Sequence, residues 1–167
     1  MHGETVAEHV FAIIFLAQYF LPLEDPEGKI DKAKLYEISL FHDFGEILNG
    51  DIPYHRKTEV HEIQEAKDAE IVFKSLPDSV GAIGAIRWKE YEDRATFEAR
   101  FAYALDKIEP TFELLDPISE KSLKREKFTY EAHLGKKQKA TEQFPVMRRF
   151  VDVLAAHIKD RGVFWEG

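Results

Sequence analysis

Apolar residues recur every three or four positions along almost the whole chain, and no stretch alternates apolar and polar residues as a half-buried strand would. This spacing is the period of an α-helix. Capping residues stand at the starts of several of these segments, and prolines or glycines stand near their ends. The pattern therefore predicts an all-α fold. The expected helix boundaries include Asp31, Leu48, Thr58, Leu76, Asp78, Thr96, Pro145 and Asp160, with a break or kink at Pro110.

The first predicted helix opens with Thr5-Val6-Ala7-Glu8, a capping box in which threonine and glutamate satisfy each other's backbone amides. Apolar side chains surround almost the whole helix, so we expect it to lie buried at the centre of the fold, together with His9. Its most apolar stretch, Val10 to Leu23, has 14 residues and contains Gln18. That stretch is too short to cross a hydrocarbon core of about 30 Å, so we expect no contact with a membrane.

The composition bounds the class of protein. With 167 residues the chain has the size of one domain, and its net charge of −8 would repel duplex nucleic acid. It contains no cysteine, which excludes disulfides, thiolate metal sites and cysteine nucleophiles. Any transition-metal site must therefore consist of His and carboxylate side chains. These features predict a single-domain protein of the reducing cytoplasm.

One segment departs from the overall acidity. Between Ser119 and Lys139 there are seven basic and three acidic residues. A solvated, partly helical loop is the favoured interpretation, and a basic lid that attracts an anionic substrate is the alternative.

The most informative cluster is His42-Asp43-Phe44-Gly45-Glu46, on a helix predicted from Asp31 to Leu48. On a helix, Glu46 would lie one turn from both His42 and Asp43, so the three side chains could converge. Gly45 lowers helix propensity by nearly 1 kcal/mol relative to Ala, and we expect another backbone or a ligand to approach closely there.

Imidazole and carboxylate groups are suitable ligands for several divalent metals, but two neighbours cannot complete a coordination sphere. The best candidates for further ligands are His9, on the apolar first helix, and Asp106, an acid on an otherwise apolar helix. Taken singly, each has a simpler explanation: a hydrogen-bonded core histidine, or an aspartate that faces water. Their joint occurrence favours a metal site.

The ordered set of motifs resembles the HD-domain metal-dependent phosphohydrolases, and it is most similar to their 5'-deoxynucleotidase branch. The resemblance covers roughly Glu4 to Leu115 and implies a helical bundle, often dimeric. We therefore expect a single HD domain over residues 1–167, with a metal core at about 4–115, a C-terminal helical extension at about 116–167, and a homodimer. The motifs that carry the resemblance are Val6-Ala7-Glu8-His9, His42-Asp43, Gly45-Glu46, Gly50-Asp51 and Ala104-Leu105-Asp106-Lys107-Ile108-Glu109.

By this resemblance His9, His42, Asp43 and Asp106 are the protein ligands of one divalent metal ion, with Mn, Co, Ni, Zn, Fe and Mg as candidates. The implied reaction is the release of phosphate from (deoxy)nucleoside 5'-monophosphates. A cation in this position would offset charge on the transferring phosphoryl group.

Glu46 and Asp51 match the family's catalytic acids. Glu46 could accept a proton from the attacking water, and Asp51 could orient that water or protonate the leaving oxygen. Lys57 stands where the resembling proteins place a basic residue near the phosphate, and Arg56 could take that role instead. An exposed basic pair ahead of the Thr58 cap is the alternative interpretation.

The sequence departs from the branch at its start. Only Met1-His2-Gly3 precede Glu4, where related proteins have a further helix that helps to hold the nucleoside. Either the start is truncated, in which case we expect weak and poorly selective hydrolysis, or another element supplies that wall. Trp88 and Tyr91 could offer aromatic surface, although a half-buried helix face explains them equally well.

Two competing functions follow from the same residues. An HD-type di-iron oxygenase would need further histidines for a second metal, and His55 and His61 are the candidates. A noncatalytic nucleotide-binding module is the other alternative, against which the presence of Glu46 and Asp51 argues.

Overall fold

The computed structural model describes residues 5–50, 52, 56–115, 123–125 and 127–166. These residues form helices and connecting turns, with no strand among them, which confirms the all-α prediction. The helices are α1 (Val6–Glu24), α2 (Lys32–Phe41), a 3₁₀ turn (Phe44–Glu46), α3 (Glu59–Ser75), α4 (Asp78–Asp93), α5 (Phe97–Ile108), α6 (Pro110–Glu113), α7 (Tyr130–Ala140) and α8 (Pro145–Asp160).

Most of the core lies where α1, α2, α5 and α8 meet. Its members are fully or almost fully buried, and apolar burial of this kind is the main stabilising contribution to the fold. A second cluster joins α2 to α3 and contains Phe41, Ala69 and Phe73. A third lies near the C-terminus and contains Leu114, Ile158, Val163 and Phe164.

Most of the predicted helix boundaries are confirmed. The Thr5 capping box is present, and Thr96 accepts a hydrogen bond from the Ala99 amide at the start of α5. Pro110 divides the helix in which it lies, because α5 ends just before it and α6 begins with it. Single polar caps and prolines therefore define these boundaries well.

The prediction for the second helix is wrong at its C-terminal end. Helix α2 ends at Phe41 with His42 as its C-cap, and a tighter 3₁₀ turn follows instead of a continuous helix to Leu48. Gly45 in that turn lies against α3, where a Cβ atom would be only 2.9 Å from the backbone oxygen of Glu65. The close approach expected at Gly45 is thus confirmed, and the segment leaves through Gly50 with φ of 77°.

Helix α1 is not buried all round, contrary to the prediction. Phe11, Phe15 and Tyr19 are 73%, 67% and 60% exposed and form a stripe along its outer face. Only the opposite face, which includes Ile13 and Phe20, enters the core. Because α1 is apolar on all sides, its sequence does not show that neighbouring helices cover only one of them.

Helix α1 also bears on the expectation about membranes. It has 19 residues and, among the described residues, is the one helix long and apolar enough to span a membrane by length and composition. The expectation that this segment is too short is therefore not met. The observation is weak evidence for a span, because core helices and N-terminal signal sequences satisfy the same criterion.

Candidate metal centre

His9 lies in the first turn of α1, directly after the capping box. Its Nδ1 lies 3.0 Å from Oε2 of Glu109, so this nitrogen is protonated and donates a hydrogen bond to the carboxylate. The other nitrogen, Nε2, lies 3.5 Å from Oδ2 of Asp43 and 3.4 Å from Oδ1 of Asp106. One ring nitrogen of His9 thus bonds to a supporting carboxylate, and the other faces two further acids. This arrangement is typical of metal-binding histidines.

His42 has the same arrangement with a different partner. It is 3% exposed, and its Nδ1 lies 2.8 Å from the backbone oxygen of Ser39, one turn earlier. Its Nε2 is buried, makes no hydrogen bond to any residue in the described part of the chain, and lies 3.2 Å from Oδ1 of Asp43. A buried nitrogen without a hydrogen bond destabilises the fold unless a bound ion or ligand interacts with it.

The predicted ligands come together from three separate elements. Ligand atoms of His9, His42 and Asp43 all lie within 4.8 Å of one another. Asp106, on α5, approaches this group through its contact with His9, and its Oδ2 accepts a 2.5 Å hydrogen bond from the Tyr91 hydroxyl. The structure thus brings three predicted ligands into one tight group, with the fourth beside it.

The electrostatics of this group favour a cation. Burial opposes a charge on His9, but hydrogen bonds to Asp106 and Glu109 and the charge of Asp43 raise its pKa to about 11. Burial opposes a charge on His42 as well, but the nearby carboxylates of Asp43 and Asp106 together raise its pKa. The residues present therefore fit a divalent metal ion, which would replace these protons as the source of positive charge.

The hydrogen bond between Tyr91 and Asp106 joins a protonated hydroxyl to a charged carboxylate. Burial disfavours a charge on Asp106, but Lys107 and His9 hold its pKa well below the ordinary value, so it remains a carboxylate. Burial and the charge of Asp106 raise the pKa of Tyr91, so its hydroxyl keeps the proton it donates. Asp106 is therefore fixed as an anion with one oxygen directed at His9.

Glu46, which follows Asp43 in the 3₁₀ turn, lies close to Lys57. Lys57 Nζ is 2.6 Å from Oε2 of Glu65 on α3 and 3.9 Å from Oε1 of Glu46. The side chain of Lys57 is 27% exposed, and these carboxylates raise its pKa despite partial burial. Lys57 is thus a positioned cation and not a fully solvated one, whereas Arg56 is exposed.

Other sequence predictions have mixed outcomes. Asp51 and His55 lie outside the described residues, so their predicted roles stay predictions. His61 accepts a 3.1 Å hydrogen bond from the Thr58 amide at the start of α3 and belongs to no metal-binding group among the described residues. These observations give the di-iron alternative no support.

The aromatic wall proposed for Trp88 and Tyr91 is not formed by these residues. Tyr91 is 7% exposed and donates to Asp106, and Trp88 packs against the cluster around Phe41 and Phe73. Both are accounted for by packing, as the simpler interpretation expected.

Sequence reasoning missed the supporting roles of Ser39, Glu65, Tyr91 and Glu109. Glu109 was within reach, because it follows Asp106 by three residues and so shares its side of the helix. Ser39 acts through its backbone oxygen, and Glu65 and Tyr91 meet the site only through tertiary packing. No sequence pattern points to those three.

Comparison with known proteins agrees with this geometry. The family model described as HD domain matches residues 1–148, most of the chain. The chain belongs to the HD domain family. As in the family at large, a divalent metal is therefore implied for this HD domain protein, and the His/Asp group described above is where the described residues could hold it.

Curated relatives of this HD domain protein carry the name 5'-deoxynucleotidase HDDC2. The protein from Dictyostelium discoideum is 35% identical over 111 residues, covering 64% of this chain and 58% of its own length. The Homo sapiens protein is 28% identical over 109 residues, covering 64% of this chain and 50% of its own length. The chain thus spans about half the length of these relatives.

A solved structure gives the fold comparison. A predicted metal-dependent phosphohydrolase from Magnetospirillum magnetotacticum superposes with a TM-score of 0.82 at 27% identity. The match covers 98% of this chain and 81% of that one. The similarity of fold therefore extends over almost the whole chain.

Proposed function

We propose that the chain is a metal-dependent phosphomonoester hydrolase that releases phosphate from (deoxy)nucleoside 5'-monophosphates. One observation carries the proposal: His9 and His42 both direct Nε2 at Asp43, within a group whose ligand atoms lie less than 4.8 Å apart. The names of the relatives support the substrate class.

We propose that His9, His42, Asp43 and Asp106 hold one divalent ion, with Mn, Co, Ni, Zn, Fe and Mg as candidates. When bound, the ion would offset negative charge on the phosphate and lower the pKa of the attacking water. The acidic surroundings of both histidines support this ligand set.

Glu46 is the proposed general base. Its backbone amide donates a 2.9 Å hydrogen bond to the backbone oxygen of Asp43, so the 3₁₀ turn holds Glu46 one turn after this proposed ligand. Lys57, close to the Glu46 carboxylate, would then meet the phosphate, with Arg56 as the second basic candidate. Asp51 is proposed to orient the water or to protonate the leaving 5' oxygen.

A phosphate-release screen tests the proposal. The protein is supplied with Mn, Co, Ni, Zn or Mg in turn and assayed on matched deoxy- and ribonucleoside monophosphates. We expect metal-dependent phosphate release, and a preference for the deoxy sugar would support the assignment to the 5'-deoxynucleotidase branch. Nucleotide binding without any release, under every metal, would instead indicate a noncatalytic binding module.

We further propose that the protein is a homodimer. The exposed stripe of Phe11, Phe15 and Tyr19 supplies apolar area of the kind that self-association buries. Light scattering during gel filtration tests this, and a mass of 19.4 kDa would contradict it. Cytoplasmic location stays a prediction.

A further inference from the structure

The two carboxylate oxygens of Asp106 have different partners. Oδ1 lies 3.4 Å from Nε2 of His9, on the side of the proposed ligand group. Oδ2 accepts the hydrogen bond from the Tyr91 hydroxyl and also contacts Nζ of Lys107. Two donors therefore occupy Oδ2, and Oδ1 is the oxygen that faces the candidate centre.

The two donors to Oδ2 differ in how firmly the fold holds them. Lys107 reaches Asp106 through a long, flexible side chain that is 25% exposed, so its ammonium group can turn away into solvent. Tyr91 is only 7% exposed, and its rigid ring fixes the position of the hydroxyl. Tyr91 is therefore the donor that keeps Oδ2 occupied.

The ring of Tyr91 also supports a second proposed ligand. Its centre lies 5.0 Å from the centre of the His42 ring, with an angle of 62° between the two planes, which is an edge-to-face contact. Tyr91 belongs to α4, whereas His42 caps α2 and Asp106 lies on α5. A side chain from a helix that supplies none of the four proposed ligands thus contacts two of them.

We propose that Tyr91 is a positioning residue of the metal centre, whose hydroxyl restricts Asp106 to ligation through Oδ1 alone. A carboxylate can bind a metal through one oxygen or through both, and the second mode uses a coordination position that water or substrate needs. The inference rests on the proposed function, because it concerns the same metal site. It gives the Tyr91 hydroxyl a role in ligation beyond the packing of its ring.

Tyr91→Phe separates these two roles, since it removes the hydroxyl and keeps the ring against His42. Tyr36→Phe is the matched control, because the Tyr36 hydroxyl accepts a hydrogen bond from Gln18, outside the ligand group. Circular dichroism checks that the metal-free proteins are folded. Each protein is then titrated with Co²⁺ in competition with a chelator of known affinity, and the visible absorption of the bound ion is recorded.

We expect Tyr91→Phe to bind Co²⁺ about 10- to 100-fold more weakly than the parent, the usual effect of removing a supporting partner of a metal ligand. Its Co²⁺ spectrum should also change, because the spectrum depends on the number and geometry of the ligand atoms, and Asp106 can then add Oδ2. Tyr36→Phe should match the parent in both measurements. A purely structural role for Tyr91 would lower the stability of the fold without changing either.

Equal Co²⁺ affinity in the parent and Tyr91→Phe would overturn the inference, and so would an unchanged Co²⁺ spectrum. Equal losses of affinity in Tyr91→Phe and Tyr36→Phe would also contradict it, since they would reveal a general effect of removing a tyrosine hydroxyl. If the parent binds metal but hydrolyses no nucleotide, the proposed function fails instead, while the Co²⁺ titration still decides the role of Tyr91.

Discussion

His9 and His42 present Nε2 to the acidic group because their other ring nitrogens already bond to acceptors at fixed positions. Glu109 fills that role for His9, and the backbone oxygen of Ser39 fills it for His42. Each acceptor selects one tautomer and one ring orientation. The geometry of the site is therefore set by hydrogen bonds that lie outside the ligand group.

Glu46 offers a separate test of proton transfer. Glu46→Gln keeps the shape and size of the side chain but removes the proton acceptor, so turnover should fall by roughly 10²–10⁴-fold. Bound metal should remain, because Glu46 is not one of the proposed ligands. Steady-state phosphate release and metal analysis on the same sample check both parts. An unchanged rate would remove Glu46 from the mechanism.

His133 predicts how stability depends on pH. Burial and the nearby Lys137 charge lower its pKa to about 3, whereas the unfolded chain binds a proton near pH 6.5. The unfolded state therefore takes up more protons below pH 6.5, and the free energy of unfolding falls by at most about 1.4 kcal/mol per pH unit from this group.

Urea unfolding of metal-free protein at pH 6.5 and pH 5 measures this effect. Between these values the parent should lose about 1 to 2 kcal/mol more than His133→Asn, which cannot be protonated. His157→Asn, at an exposed histidine, should follow the parent. The same pH dependence in the parent and His133→Asn would show that His133 is not kept neutral by the fold.

At the scale of elements, the 3₁₀ turn depends on its contact with α3. A Cβ at Gly45 would lie 2.9 Å from the backbone oxygen of Glu65, which is closer than van der Waals contact allows. The clash could be relieved only if the backbone of the turn or of α3 shifted. Gly45→Ala should therefore destabilise the protein by about 1 to 3 kcal/mol and weaken metal binding through the adjacent ligands.

Gly135 provides the matched control. It lies in α7, and a Cβ there would meet no atom within 4 Å. Gly135→Ala should stabilise the protein by about 0.5 to 1 kcal/mol through helix propensity and loss of unfolded-state freedom. Chemical denaturation compares the two variants. Equal effects would contradict the role assigned to the close approach at Gly45.

Local signals in the sequence predict where helices begin and end better than they predict what packs against each helix. Thr96 and Pro145 mark helix starts through their own chemistry, so they are readable without tertiary structure. The break after Phe41 depends on where α3 packs, and the exposure of Phe15 depends on which neighbours cover α1. Periodicity reports the faces of a helix but not what lies against each face.

The candidate site shows the same division. His9, His42, Asp43 and Asp106 were identified from residue type, spacing and resemblance, and the fold brings them together. Their partners were not identified, since tertiary contacts such as that of Tyr91 leave no periodic signature. The predicted single domain of residues 1–167 also stays a prediction.

For the whole molecule, the site exists only when distant parts of the chain meet. Its proposed ligands come from α1, the end of α2 and α5, and Glu109 follows α5. A metal that binds only the folded state stabilises it, by about 2.7 kcal/mol when the free metal is at one hundred times its Kd. Metal binding and folding should therefore be coupled in this protein.

Metal content per chain tests the central claim most directly. His42→Ala removes the buried imidazole whose Nε2 faces Asp43, and His157→Ala removes an exposed histidine of α8 as the control. After loading with divalent metal and dialysis, we predict about one bound ion in the parent and His157→Ala, and none in His42→Ala. Full occupancy in His42→Ala would contradict the assignment of this group as the metal centre.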